Sequence, residues 1–178
     1  MDFGLLLLRI AVGVVLIRHG TRKLSGWFGA GGLSGTSSHL RLLGYWPPRP
    51  MAAFAGGAEL FAGLGLGLGF ATPVATAVLI GTMLNAAVAA HGRNGPWPVD
   101  NGSEYPLLLG TAAATVAFTG PGAASLDAWL GFGDPTLESA AFAVALGLIT
   151  GMAVLVSRAA HSAVDTTTPE AAPDDLAA

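Results

Sequence analysis

The chain has 178 residues, enough for one domain, and only 11% of them are charged, against about 25% in soluble globular proteins. Hydrophobic residues make up 52% of the sequence, and the mean hydropathy is +0.61. This composition excludes a soluble enzyme, because too few charged side chains remain to cover its surface. The net charge of −3 implies no basic surface, so nucleic acid is not an expected partner.

The sequence contains no cysteine. Structural disulfides, thiolate metal sites and C-x-x-C redox chemistry are therefore excluded, and no metal site is expected. Any sulfur or electron chemistry would have to be carried by a cofactor, a substrate or a partner protein.

Five apolar segments predict five transmembrane helices, since about 20 residues at 1.5 Å rise cross a hydrocarbon core of about 30 Å. They cover residues 3–20, 51–70, 74–91, 105–120 and 137–156. Thr72 and Pro73 predict a cap and a first helical position for the third span. We expect the first segment to be a span and not a cleaved signal peptide, because Arg9 interrupts it and no basic residue precedes it. The predicted fold is an all-α membrane bundle.

The connection between the first two spans, residues 21–50, is long and rich in glycine. It carries Trp27, Tyr45 and Trp46, which suit the headgroup layer of a membrane. A short interfacial helix is predicted around residues 40–45.

Lys and Arg are distributed unevenly between the two ends of the predicted bundle. With five spans, the end that holds the N-terminus and residues 71–73 and 121–136 has neither residue type. The other end holds Arg22, Lys23, Arg41, Arg49, Arg93 and Arg158. The positive-inside rule then predicts a multi-pass protein of the cell (inner) membrane, with the N-terminus outside and the C-terminus in the cytoplasm.

Glu59 is the most informative polar residue, because ionisable residues inside spans cost about 2.5–3.5 kcal/mol on insertion scales. It lies about 16 Å from the outer end of the second span. Its helix face is a stripe of small residues that allows close helix packing, so Glu59 is expected to face a neighbouring helix and not lipid. The stripe comprises Ala52, Ala55, Gly56, Ala62 and Gly63.

Candidate partners of Glu59 differ in depth. Arg9 lies about 8 Å from the outer end, Asn85 about 18 Å and His19 about 22 Å, so depth alone favours Asn85 or His19. An Arg9–Glu59 pair remains within reach if the helices tilt. Arg9 could instead extend to the outer interface and bind no partner.

Several polar residues lie at or near the predicted cytoplasmic ends of the spans and, with Glu59, could line a pocket open to that face. Carboxylate, imidazole and phenol groups suit a quinone head group or a proton relay, while the two histidines could ligate haem, although only their number supports haem. Each residue also has a structural interpretation, as an interfacial group or as a group at a helix terminus. The residues are His19, Lys23, His91, Glu104 and Tyr105.

Several sequence runs together resemble the DoxX family of integral membrane proteins. They are LLLLRIAVGVVLIRHGTRKL at 5–24, WFG at 27–29, GGAELFAGLGLGLGFAT at 56–72, NGSEYPLLL at 101–109, and GPG with SLDAWL within 120–130. The resemblance implies a four-helix core over residues 1–131. Residues 132–160 would add a fifth, C-terminal transmembrane helix, and residues 161–178 a disordered cytoplasmic tail.

The resemblance implies several activities. Some relatives are the membrane subunit of thiosulfate:quinone oxidoreductase, and others are thought to scaffold detoxification enzymes such as sulfurtransferase and superoxide dismutase. The resemblance favours the Arg9–Glu59 pair, and the absence of cysteine argues against independent sulfur transfer. The family-type polar positions are Arg9, His19, Lys23, Glu59, Glu104 and Tyr105.

Three functional hypotheses follow. The first is a membrane subunit of a redox or oxidative-stress complex, with quinone as a possible cofactor. The second is a non-catalytic anchor or scaffold that uses residues 21–50 and the fifth span for docking, and the third is a small transporter or channel. The expected partners are the lipid bilayer, protein subunits and a second copy of the chain.

Overall fold

A computed structural model describes residues 2–29, 31–132 and 136–167. These residues form α-helices joined by short turns and 3-10 segments, with no strand among them, which confirms the predicted all-α membrane fold. The helices are α1 (Asp2–Ser25), α2 (Gly32–Leu42), α3 (Pro48–Leu68), α4 (Thr72–Asn85), α5 (Glu104–Thr119), α6 (Leu126–Trp129) and α7 (Leu137–Thr167). A π-helical turn, Ala86–Ala90, extends α4.

Four helical stretches among the described residues are long and apolar enough to cross a membrane: Phe3–Ser25, Pro48–Leu68, Thr72–Ala90 and Leu137–His161. They match the first, second, third and fifth predicted spans. The fourth, α5, has 16 residues and is therefore about 24 Å long, short of a core of about 30 Å. It runs antiparallel to α1, because its start contacts His19 and the segment after it contacts Arg9. That α5 crosses the bilayer stays a prediction.

Glycines bring α1 and α3 into close contact. A Cβ placed on Gly13 would lie 2.8 Å from the carbonyl oxygen of Gly63, and one on Gly63 would lie 2.9 Å from that of Gly13. Ala52 and Ala62 of the same α3 stripe are fully buried. The predicted stripe of small residues is thus a helix-packing surface, and its partner is α1 of the same chain.

The C-terminal helix, α7, packs on α4 in the same way. A Cβ on Gly147 would lie 2.6 Å from the carbonyl oxygen of Ala77, and one on Gly151 would lie 2.9 Å from Cα of Gly81. Such close backbone approach is typical of membrane helices, where van der Waals packing replaces the hydrophobic effect as the driving force.

Apolar side chains divide between an interior cluster and an outer surface. The interior cluster joins α1, α3, α4 and α5 and includes Val12, Leu16, Leu66, Leu79, Met83 and Val116. Large apolar side chains on the outside of the helices are exposed, among them Leu7, Phe61, Phe142, Ile149 and Val156. A surface of this kind requires lipid around it.

Three predicted boundaries differ in the structure. Residues 21–50 do contain a helix, but α2 ends at Leu42 and Tyr45 lies beyond it. Thr72 is the first residue of α4 and not its cap; the capping position is Ala71. The last helix continues to Thr167, past the predicted start of the tail, and residues 168–178 lie outside the described part of the chain, so the disordered tail stays a prediction.

Candidate functional site

Glu59 forms an ion pair with Lys23. The residue is 3% exposed, and its Oε1 lies 2.6 Å from Nζ of Lys23 on α1. The Lys23 side chain is 31% exposed, so the pair links the interior of the bundle to its surface. The other carboxylate oxygen, Oε2, is buried and accepts no hydrogen bond from the described residues. The prediction that Glu59 faces a helix is confirmed, but its ionic partner is none of the three that depth or resemblance suggested.

Glycines on both helices explain why Lys23 reaches Glu59. A Cβ on Gly20 would lie 2.7 Å from the carbonyl oxygen of Gly56, and one on Gly56 would lie 3.2 Å from Cβ of Lys23. The backbones of α1 and α3 therefore approach closely next to Glu59. This approach shortens the distance that the two side chains must span.

His19 and Tyr105 form the neighbouring part of the site. Their ring centroids are 5.8 Å apart, and the Tyr105 hydroxyl lies 3.5 Å from Nε2 of His19. Glu59 also acts electrostatically on both rings. The structure thus brings together four of the predicted site residues, which are His19, Lys23, Glu59 and Tyr105.

A cleft of about 230 Å³ opens beside His19 and Tyr105. Val15, Arg18 and Arg22 of α1 form one wall, and Phe28 closes the end. The cleft is smaller than the roughly 300–1,000 Å³ of most small-molecule sites, so it suits a head group better than a whole large ligand.

Arg9 lies at the opposite end of the bundle and does not pair with Glu59. Its guanidinium donates to the carbonyl oxygens of Leu66 at 2.9 Å, Gly67 at 3.4 Å, Ala124 at 3.1 Å and Pro121. Arg9 is 1% exposed, so the snorkelling interpretation is also wrong. A cation at these carbonyls complements the negative end of the α3 dipole and holds the segment that follows α5.

Asp127 has a structural role that the sequence reasoning missed. Its carboxylate accepts hydrogen bonds from the backbone N–H groups of Ala71 at 2.8 Å and Thr72 at 2.9 Å, and so caps α4 from a distant part of the chain. It also attracts Arg9 electrostatically. The sequence did contain a signal for this residue: Asp127 is the only charged residue between Glu104 and Asp134.

Asn85 belongs to a third group of contacts and does not contact Glu59. Its side-chain amide donates to the carbonyl oxygens of Gly81 at 3.0 Å and of Gly151 on α7 at 2.9 Å, while its oxygen accepts from the Tyr45 hydroxyl at 2.9 Å. Burial raises the pKa of the Tyr45 phenol, and the positive charge of Arg158 opposes this only in part, so the hydroxyl remains a donor. Asn85 therefore attaches α7 to the core.

Neither His91 nor Glu104 forms a hydrogen bond or an ion pair with Glu59 or Lys23. Nδ1 of His91 is 2.7 Å from the carbonyl oxygen of Asn101, and Glu104 is an exposed residue in the first turn of α5, as its structural interpretation expected. Among the residues that the structure describes, no three His, Cys, Asp or Glu side chains are grouped to hold a metal ion.

The fold defines a class: a multi-pass helical membrane protein with a buried ion pair between its first and third helices. The sequence model of the DoxX family matches residues 4–92, half of the chain. The chain therefore belongs to the DoxX family. No curated protein and no solved structure matches it significantly.

The family match covers α1 to α4, the π-helical turn and His91. It contains Arg9, His19, Lys23 and Glu59 but ends before Tyr105 and Asp127. The division of the chain into a core of 1–131 and an added helix of 132–160 stays a prediction.

Proposed function

We propose that this protein is the membrane subunit of a quinone-linked redox complex, with its site around Glu59, His19 and Tyr105. The observation that supports this most is the Glu59 carboxylate. One oxygen is held by Lys23, and the other is buried and accepts no hydrogen bond from the described residues. A buried acceptor of this kind is costly unless it has a function, since buried polar groups are normally paired.

The surrounding residues suit a quinone head group. A quinone, when bound, supplies two-electron redox chemistry coupled to proton uptake or release. The Tyr105 hydroxyl and a protonated His19 nitrogen can donate hydrogen bonds to its carbonyl oxygens. Glu59 can accept a proton at Oε2, and Lys23, which is partly exposed, connects Glu59 to the surface. Without cysteine, the electrons would come from a substrate, a cofactor or a partner protein.

Purification in a mild detergent tests this proposal. Extracted quinone should be detected by mass spectrometry, and Glu59→Gln should reduce it several-fold. Glu104→Gln is the matched control, because that carboxylate is exposed at the same end of the bundle. Tyr105→Phe, which removes only a hydroxyl, provides a second variant if Glu59→Gln folds poorly. No quinone in the wild-type protein and no co-purifying redox protein would refute the proposal.

A non-catalytic scaffold is the second candidate, and the small size of the cleft favours it. A volume of about 230 Å³ is below that of most substrate sites. In a pull-down experiment, a scaffold should keep its partners in Glu59→Gln and lose them when part of residues 21–50 is deleted. The opposite pattern would favour the redox subunit.

A homodimer stays a prediction, but the small-residue stripe that supported it has another explanation. The stripe of small residues on α3 that allowed a dimer is covered by α1 of the same chain.

A further inference from the structure

We propose that the groove between α1 and α5 binds an anionic phospholipid, with the phosphate held by Arg18 and Arg22. This inference goes beyond the redox proposal and does not rest on Glu59. The lipid head group would occupy the arginine end of the cleft that Arg18, Arg22, Phe28 and Tyr105 line, so a lipid and a quinone head group at His19 and Tyr105 would compete for it.

Arg18 and Arg22 are two cations without an anionic partner among the residues that the structure describes. Both are exposed, and their spacing of four residues places them on the same face of α1. The Lys23–Glu59 ion pair involves neither of them. A phosphate within reach of both side chains would neutralise their charge and could accept bidentate hydrogen bonds from the guanidinium groups.

The same face of α1 continues as an apolar stripe toward the other end of the helix. Leu7, Ile10 and Val14 are 59%, 44% and 52% exposed, and they precede Arg18 at helical spacing. Across the groove, Tyr105 of α5 is 43% exposed. A charged end followed by an apolar stripe matches the shape of a phospholipid, with its head group at the arginines and an acyl chain along the stripe.

The depth of the arginines fits a phosphate layer. Arg22 lies about 29 Å along α1 from Phe3, at the edge of a hydrocarbon core of about 30 Å. Arg18 is one turn deeper, but its guanidinium lies 5.5 Å from the ring centroid of Phe28, which follows the end of the helix. The side chain therefore extends toward the head groups, as long cationic side chains near membrane interfaces do.

The backbone at Phe28 supports a binding role for this end of the groove. Phe28 has φ +68°, a left-handed conformation that is rare for an aromatic residue, and it lies between Gly26 and Gly29 with φ +77° and +88°. This turn folds Phe28 back over Arg18 and leaves Trp27 69% exposed at the level where aromatic residues contact head groups. Strain of this kind concentrates at ligand-binding sites.

Charge distinguishes the proposed lipid from other occupants. A neutral quinone head group gains little from two arginines, and a soluble anion gains nothing from the apolar stripe. Basic pockets between membrane helices are typical sites for anionic head groups.

The test is lipid binding in nanodiscs of phosphatidylcholine to which phosphatidylglycerol is added, followed by native mass spectrometry. We expect the wild-type protein to retain phosphatidylglycerol preferentially, and the Arg18→Gln/Arg22→Gln double variant to lose at least tenfold in retention. Arg41→Gln/Arg49→Gln is the matched control, since it removes two exposed arginines elsewhere in the chain. Equal retention in the two double variants would overturn the proposal.

Two further experiments, a Phe28→Gly variant and competition with inorganic phosphate, test the site itself and distinguish a lipid from a soluble anion. Phe28→Gly relaxes the left-handed backbone and removes the ring, so lipid retention should fall while thermal stability in pure phosphatidylcholine is unchanged or higher. Retention that stays at the wild-type level would contradict the proposed site. Excess inorganic phosphate should leave the lipid bound, and complete displacement by phosphate would show a soluble-anion site instead.

Discussion

Nζ of Lys23 lies 2.6 Å from Oε1 of Glu59, so a cation near the end of α1 neutralises a carboxylate inside α3. Lys23→Met leaves that carboxylate unpaired and should lower the free energy of unfolding by about 3 kcal/mol. Lys23→Met/Glu59→Leu removes both charges and should recover most of the loss, because apolar replacement of a buried pair is often neutral. Denaturation in mild detergent measures both. Losses that simply add in the double variant would show that the two residues are not coupled.

Arg9 should be intolerant even of lysine. Its guanidinium contacts four backbone carbonyl oxygens on two segments, and a single ammonium group cannot reach all of them. Arg9→Lys is expected to cost about 2 kcal/mol in stability, the scale of hydrogen bonds to a charged group. Arg41→Lys, at an exposed position of α2, is the control and should have no effect. Equal melting temperatures for the two variants would refute this role of Arg9.

Asp127 should stabilise α4 as a cap supplied from outside the helix. Asp127→Ala removes acceptors for the N–H groups of Ala71 and Thr72 and should cost about 1–2 kcal/mol. Hydrogen exchange should increase first at these two amides. Asp127→Asn keeps one acceptor, so its stability and its amide protection should lie between those of the wild type and of Asp127→Ala. The prediction fails if the two amides stay equally protected in all three proteins.

Gly147 should be essential for docking of α7. A Cβ there would lie 2.6 Å from the carbonyl oxygen of Ala77 and 2.9 Å from Cβ of Ile80, so Gly147→Ala should destabilise the bundle by about 1–3 kcal/mol through overpacking. The control is Gly57→Ala, where nothing lies within 4 Å and the higher helix propensity of alanine should stabilise slightly. Thermal unfolding and protease cleavage within α7 report the effect. A tolerated Gly147→Ala would mean that α7 packs elsewhere.

The topology can be measured directly, because the chain has no cysteine and any introduced thiol is unique. Ala123 and Ser38 are exposed at opposite ends of the bundle. A membrane-impermeant maleimide applied to intact cells should label Ala123→Cys and not Ser38→Cys if the N-terminus is outside. Labelling of Ser38→Cys alone would reverse the orientation.

The partner of Glu59 could not be found by counting residues from the helix ends, because the start of α1 and the end of α3 do not lie at the same depth. Gly13 packs against Gly63 and Gly67, although the count from the helix ends places Gly13 about 6 Å deeper. With this offset of roughly one turn, Arg9 is level with the end of α3, and Lys23 comes within reach of Glu59. The axial offset between two helices depends on which of their glycines pack against each other, and a hydropathy profile contains no information about that packing.

The sequence by itself determined the membrane class and four of the spans, because hydropathy and span length depend only on local composition, and its motifs identified the family. It also indicated that Glu59 faces a helix, since helical periodicity assigns each residue to a face. The tertiary structure alone decided the partners. Lys23 and not Arg9 or Asn85 neutralises Glu59, while Arg9 and Asp127 serve the helix ends at the opposite side. The physical reason is that close backbone packing at glycines sets the stagger of the helices, and the stagger determines which long side chains can meet.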